Sequence, residues 1–533
     1  LLVGLLASLL GSLTFARDTN AGDMWLSGDE LARLPAEGPA WDAMRSAADE
    51  TLVVPDLAAA TNRHDVITLA RALVAARLGL DGEGAQYRRS AADGLLAVIG
   101  TESGETARDP AVNMQAYVLA ADLIDLADLD TEAELRFRTW VADLRYHCFG
   151  PRSFWYGSQE RPNNWGLAAT AARLVIAIYL RDHGGVPAQA CLAVDECNLP
   201  GALASCGDPT GEIDQTATLF RGWLGDRSAY SGFQYGSRSW QANPTEPVGI
   251  NAGGATIAGY DVDGVLPDDQ RRAGPFRWPP PRERYVYEGL QSAFVIAAVL
   301  DRQGFDAWNW EDRALKRAFD WLHLHQFLPS GHIPFPARGD DQWLAHLVNH
   351  AYGTRFPSVV PAQHGKNAGW TDWTHAGTAQ AAAGCGRVCD DGNPCNGYEF
   401  CDGSACRAGR ATPGCIPTTT TSSTTSTTST TLPPGPACGD ATGDGEVTVS
   451  DAAAVLNVVV GAGSCEISVC DVDRDGLVTV SDALTLLRFA AGVIPSLPCQ
   501  AAAESDSGLT PVEMKCAVRW LKLENLCSAE ARR

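Results

Sequence analysis

Residues 161–166 read RPNNWG and run straight into LAATAARLVIAIYL. The adjacent carboxamides Asn163 and Asn164 suit two kinds of chemistry. One carboxamide oxygen can cap the free amides at a helix start. The second is then surplus and can help hold a carboxylate, because fixed amide donors stabilise gathering negative charge. Trp165 beside them is either core or a flat face for a sugar ring. A second candidate stretch is VDGVLPDDQRRAGPFRWPPPRERYVYEGLQ, 262–291. It carries Arg271, Arg272, Arg277, Arg282 and Arg284, interleaved with Phe276, Trp278, Tyr285 and Tyr287 and followed by Glu288. Guanidinium groups bind carboxylates through paired hydrogen bonds, and aromatic faces stack on sugars. Salt bridges to Asp268, Asp269 and Glu283 are the plainer use of those cations. A third group is His346, His350, Tyr352, His364 and His375, set among Trp, Asn and Gly. Clustered histidines are candidates for proton transfer near neutral pH.

A different chemistry repeats near the C-terminal end. DATGDGEVTVSDAAAVLNVVVGAG (440–463) and DVDRDGLVTVSDALTLLRFAAGV (471–493) share one spacing. Oxygen-bearing side chains fall at positions one, three, five, nine and twelve, and Gly at six. The first loop offers Asp440, Thr442, Asp444, Thr448 and Asp451, the second Asp471, Asp473, Asp475, Thr479 and Asp482. Backbone carbonyls at position seven belong to Glu446 and Leu477. A ring of oxygens around a glycine turn is the EF-hand solution for a hard cation, and two in tandem imply two calcium sites. Position twelve is Asp rather than Glu, and an apolar helix follows at once. The doubled loop-helix over 438–495 resembles a dockerin domain. That resemblance implies calcium-dependent folding and a cohesin-like protein partner; a calcium-stabilised spacer is the alternative.

These residues need a scaffold. Residues 24–380 read as one mainly α region, with DVITLARALVAARLGL, NMQAYVLAADLIDLADL, NWGLAATAARLVIAIYL and EGLQSAFVIAAVLDRQG apolar almost all round. Helices of that kind are buried on more than one side. A double layer, an inner ring of helices enclosed by an outer one, fits the pattern. The stretch 205–280 is rich in Gly, Pro and aromatics and reads as long loops, where function usually sits.

The chain has 533 residues, enough for several domains, and a formal net charge of −23. That charge argues against nucleic-acid binding, which needs cationic surface. The N-terminal apolar run is too short to span a bilayer comfortably, and no later segment is long and apolar enough. LLVGLLASLLGSLTFA (1–16) reads as the remnant of a signal peptide. Sixteen cysteines fall into three even groups, at 148–206, 385–415 and 438–527, which predicts disulfides within modules and a secreted protein. Residues 385–415 form a disulfide-rich module, 417–436 a Thr/Ser/Pro linker, and 496–533 a tail.

The large region also resembles the alginate-lyase superfamily of polysaccharide lyases, through MWLSGDELARLP, NNWG before an apolar helix, DGVLPDDQRR, and Tyr285 leading into EGLQSAFVIAAVLDRQG. The resemblance implies an α/α toroid that cleaves a uronic-acid glycan, alginate-like or glucuronan-like, by β-elimination, with no catalytic cofactor. It implies Asn164 as carboxylate holder, with Trp165 where the family has His and Glu288 near a family Tyr. The chemistry needs a carboxylate grip, from Asn163, Asn164, Arg271, Arg272 and Arg282. It also needs an acid or base, from Tyr285, Tyr287 or His350. Tyr starts near pKa ~10 and needs adjacent positive charge, such as Arg284, to act as a base. Trp165, Trp278 and Glu288 complete the expected substrate contacts. Two rivals are a glycoside hydrolase using Asp263 and Glu288, and a non-catalytic carbohydrate-binding or matrix protein.

Overall fold

The structure is a computed structural model. It describes residues 23–59, 61–324, 335–363, 365–376, 389, 397–402, 405–410, 438–442, 447–459, 465, 467–473, 477–490, 494 and 497. The expected signal segment 1–16, the linker 417–436 and nearly all of the tail lie outside these, as does His364. The chain divides into two compact units, 1–419 and 420–533.

The first unit is built from helices. In chain order these are α1 (Gly28–Arg33), α2 (Pro39–Asp49), α3 (His64–Leu78), α4 (Ala85–Ala97), α5 (Arg108–Leu123), α6 (Leu126–Leu129), α7 (Thr131–Leu144) and α8 (Phe154–Glu160). Then come α9 (Asn164–Asp182), α10 (Ala202–Cys206), α11 (Pro209–Leu224), α12 (Pro267–Gln270), α13 (Tyr285–Arg302), α14 (Trp310–Leu324), α15 (Leu344–Tyr352) and α16 (Thr371–Thr374). Strand is confined, among the described residues, to two hairpins of two-residue strands, β1 (Thr256–Ile257) with β2 (Tyr260–Asp261) and β3 (Phe400–Cys401) with β4 (Cys406–Arg407).

The apolar segments are buried all round, as their composition demands. Every residue is buried from His64 to Ala75 in α3, Pro110 to Leu123 in α5, Gly166 to Leu180 in α9 and Gly289 to Leu300 in α13. These four pack in succession, α3 on α5, α5 on α9 and α9 on α13. Amphipathic helices lie against them: α2 and α4 on α3, and α8 and α11 on α9. The side-chain links fix direction. At one end of the row, Arg108 at the start of α5 meets Glu288 in the first turn of α13. At the other end, His183 after α9 pairs with Asp122 of α5 at 3.0 Å, and Arg181 donates to Gln303 at 2.7 Å. So α5, α9 and α13 run parallel, and their N-termini gather at one face.

The expectation of loops through 205–280 is corrected in part. Pro209–Leu224 is a helix, capped by Asp208, whose carboxylate accepts the Gly211 N–H at 2.9 Å. Its Ile213, Ala217, Phe220 and Leu224 make a stripe at helical spacing that buries against α9. Beneath it lies a fully buried charge group, in which Glu212 takes Arg173 at 2.8 Å and also pairs with Arg145. Burial pulls both guanidinium groups down to about 10.

Every disulfide with both partners described joins cysteines of one group: Cys148–Cys197, Cys191–Cys206, Cys389–Cys406 and Cys465–Cys470. The described part of the Cys-rich segment is packed onto the helical unit. Tyr398 lies on Phe356 with ring centroids 4.1 Å apart, and Arg410 pairs with Asp261 and donates to the Asp263 carbonyl at 3.0 Å.

In the second unit, helices Val449–Val459 and Val480–Ala490 pack together around Ala452, Val455, Ala483 and Leu486. Among the described residues of either unit, no helix is long and apolar enough to cross a membrane.

Candidate functional site

The two carboxamides of RPNNWG have divided roles. Asn163 is the N-cap of α9, and its oxygen accepts the Trp165 N–H at 3.2 Å. Asn164 is the first helical residue and caps nothing. Its side-chain oxygen accepts from Arg272 at 3.1 Å, and its backbone N–H donates to Asp269 at 3.2 Å. Gly166 completes the motif for a steric reason. A Cβ there would stand 1.8 Å from the Arg161 carbonyl oxygen, so only glycine lets the incoming chain cross the helix start.

Arg272 comes from the 3-10 turn Arg271–Ala273 directly after α12, and its guanidinium lies over the Tyr285 ring, 4.0 Å from the centroid. Among the described residues no carboxylate stands within ion-pair distance of Arg272. Tyr285 is 41% exposed, so this cluster opens to solvent on its side. Three buried polar atoms in the cluster have no partner: the Asn164 amide nitrogen, Arg272 Nε and one Asp269 oxygen. Two are N–H donors. Burial, then the neighbouring Asp268, pushes the Asp269 carboxyl up to about 8. Asp268 is itself paired, accepting from Arg271 at 2.6 Å and from the Gly236 N–H at 3.2 Å. The cluster sits at the face where α5, α9 and α13 begin, so their partial positive ends add to Arg272. An anionic group is the ligand such an arrangement favours.

The other expected site residues are distributed differently. Trp165 is half-buried beneath Arg161, at 5.6 Å. Arg284 pairs with Asp341 and donates to the Arg338 carbonyl at 2.7 Å. Glu288 is held between Arg108 and Lys366. Tyr287 is fully buried and donates its hydroxyl to the Phe335 carbonyl; burial raises its pKa well above the ordinary phenol value. Trp278 stacks on Tyr260 with centroids 4.7 Å apart, and Arg282 lies 5.9 Å from the Phe335 ring.

His350 is not brought to this cluster. It lines a cavity of about 700 Å³ with Glu30, Arg302, Trp308 and His375, at the C-terminal end of α13. Tyr285 is at the N-terminal end, ~25 Å away along a helix rising ~1.5 Å per residue. Burial lowers His350 to about 4, and its Nδ1 has no partner. Asp269 is the member that sequence reasoning undervalued, as a surface salt-bridge partner. The signal available was its place in VLPDDQ, directly after an apolar turn that must face inward.

The oxygen-rich loops have their own geometry. Asp471, Asp473 and Asp482 bring carboxylate oxygens within 4.8 Å of one another. Asp482 accepts the Val472 and Asp473 N–H groups through one oxygen and the Thr479 N–H and hydroxyl through the other. In the first loop, Asp451 likewise takes the N–H and hydroxyl of both Thr442 and Thr448. Position twelve is therefore also the third helical residue, reaching back to its N-cap as in a capping box. A shorter Asp fits because the helix begins at once. Asp440 is buried, Leu477 is exposed, and Asp444, Glu446 and Asp475 lie outside the described residues. The dockerin type I family model matches residues 438–489.

This segment is a dockerin domain. Its two loop-helix units pack on each other, so the dockerin core is made from the repeat itself. No curated protein and no solved structure matches the chain.

Proposed function

We propose that the chain is a secreted polysaccharide lyase whose dockerin domain attaches it to a cohesin-like partner. The helical unit, read as an α/α toroid, cleaves a uronic-acid glycan by β-elimination. The observation that carries this reading is the Asn164–Arg272–Tyr285 cluster, with two buried N–H donors unpartnered and no carboxylate paired to Arg272. Arg272 and Asn164 hold the uronate carboxylate and stabilise the charge that moves onto it as C5 loses its proton. The Tyr285 oxygen, on the ring that lies against Arg272, is the base that takes that proton. The electron pair forms the C4–C5 double bond, the C4–O4 bond breaks, and the Tyr285 hydroxyl returns the proton to O4. The hydrolase pair draws less support, because Asp263 is engaged by Arg317 at 2.6 Å and Glu288 by Arg108 and Lys366.

In the dockerin domain, Asp471, Asp473, Thr479 and Asp482, and their counterparts Asp440, Thr442, Thr448 and Asp451, are the residues that would hold calcium. The described oxygens suit a hard cation. Two ions are proposed, one per loop.

The test is a panel of uronic polymers incubated with the whole chain. Elimination leaves an unsaturated sugar that absorbs in the near ultraviolet, and hydrolysis does not. Reducing ends without absorbance would replace the lyase reading with the hydrolase. Binding without either product would leave a glycan-binding protein.

A further inference from the structure

Asp269 has no role yet in that chemistry, although it is the most enclosed member of the cluster. One of its oxygens accepts the Asn164 N–H at 3.2 Å, which ties the start of α9 to α12. The other has no partner and lies against α13, where a Cβ on Gly289 would come within 2.8 Å of it. Space for this carboxyl is thus provided by the one glycine of α13.

The groups facing Asp269 are few. From its own segment they are Asp268, Arg271 and Arg272, with Asp268 and Arg271 paired to each other. From α9 it meets the neutral Asn164. From α13 it meets Gly289, while Glu288, the next residue, is occupied by Arg108 and Lys366. The only one of these cations without its own carboxylate is Arg272. An ionised Asp269 would therefore act as the counter-charge of Arg272 and weaken its hold on any external carboxylate.

We propose that Asp269 is a positioning residue carried in its neutral form, so that it fixes Asn164 while leaving the Arg272 charge uncompensated for an anionic ligand. Resting on the lyase reading, this makes uronate affinity a function of the Asp269 proton. Loss of that proton places a negative charge behind Arg272. Burial stabilises the protonated form, with the transition near pH 8.

The experiment compares wild type, Asp269→Asn and Asp269→Ala. Asn keeps an acceptor for the Asn164 N–H and cannot ionise; Ala loses both features. On the cleaved uronic polymer, wild-type KM should rise about tenfold or more between pH 7 and 9.5, because one opposing charge at close range is worth at least that. In Asp269→Asn that rise should be absent, and turnover should exceed that of Asp269→Ala by about tenfold. An alkaline KM rise retained in Asp269→Asn, or equal turnover in Asn and Ala, overturns the proposal.

A second readout needs no substrate. The folded state holds this proton between the ordinary carboxyl range and about pH 8, where the unfolded chain has lost it. The wild type therefore loses stability relative to Asp269→Asn as pH rises from about 4 to 8. A melting difference that stays constant over that window also overturns the proposal. If that difference shifts but no uronic polymer is cleaved, the lyase reading falls alone.

Discussion

The two units of this chain place their ionic chemistry in opposite ways. In the dockerin domain, Asp471, Asp473 and Asp482 come from a single twelve-residue stretch, and the same Asp482 that anchors the loop amides lies in the first turn of the helix that follows. In the helical unit, Asn164, Asp269, Arg272 and Tyr285 come from three segments. The dockerin loops rest on a small core and spend Asp451 and Asp482 on holding themselves together. The helical unit has a large apolar interior, which can bury an unpaired carboxyl and leave a guanidinium without a counter-ion. Local sites of the first kind are sensitive to an ion; assembled sites of the second kind are sensitive to packing.

That contrast can be broken first at Glu212. It is the single carboxylate between the buried Arg145 and Arg173. Glu212→Ala should destabilise the helical unit by about 3–5 kcal/mol, the usual cost of stranding a buried charge. The dockerin transition should not move. Calorimetry that showed both units melting earlier would mean the two are not independent.

Asn164→Ala comes next. It removes a carbonyl partner of Arg272 and an amide donor, so turnover on the best uronic polymer should fall about a hundredfold or more. The melting temperature should change little. Retention of most activity would remove Asn164 from the carboxylate grip.

Calcium removal tests the other side. At ion concentrations about a hundredfold above Kd, binding adds about 2.7 kcal/mol to the folded state. Chelation should therefore melt 438–489 and leave the helical unit's transition and its turnover in place. Asp482→Ala should do the same without a chelator. A purified chain with no bound calcium and no chelator effect would end the calcium reading.

The smallest effect is expected at Asn163, whose oxygen caps α9. Asn163→Ala should cost about 1 kcal/mol of stability with near-normal turnover. A large turnover loss there, with no melting shift, would make Asn163 rather than Asn164 the residue that meets substrate.

Much of this protein is legible along the chain. The dockerin spacing is local, so reading Asp440 to Asp451 and Asp471 to Asp482 as two loops required no tertiary knowledge. The all-round apolar character of α3, α5, α9 and α13 announced burial on every side, because no amphipathic surface helix tolerates that composition. Even cysteine groups announced bridges within segments. The helix Pro209–Leu224 was obscured by the Gly- and Pro-rich sequence after it, although Asp208-Pro209 is a helix-start signal in its own right.

What the sequence could not decide was which polar residues share a site. His350 and Tyr285 are both acid-base candidates in the sequence, and the parallel run of α5, α9 and α13 puts them at opposite ends of one helix. Tyr285 and Tyr287 are two residues apart, yet one faces solvent and the other is sealed in the core. A helix turns 100° per residue, so a two-residue step nearly reverses direction, and only the packed neighbours say which direction is out. Asp268 and Asp269 are adjacent in sequence and identical in type. The fold gives one a guanidinium and the other an apolar wall, and it is the burial of Asp269, not its residue type, that pushes its carboxyl up.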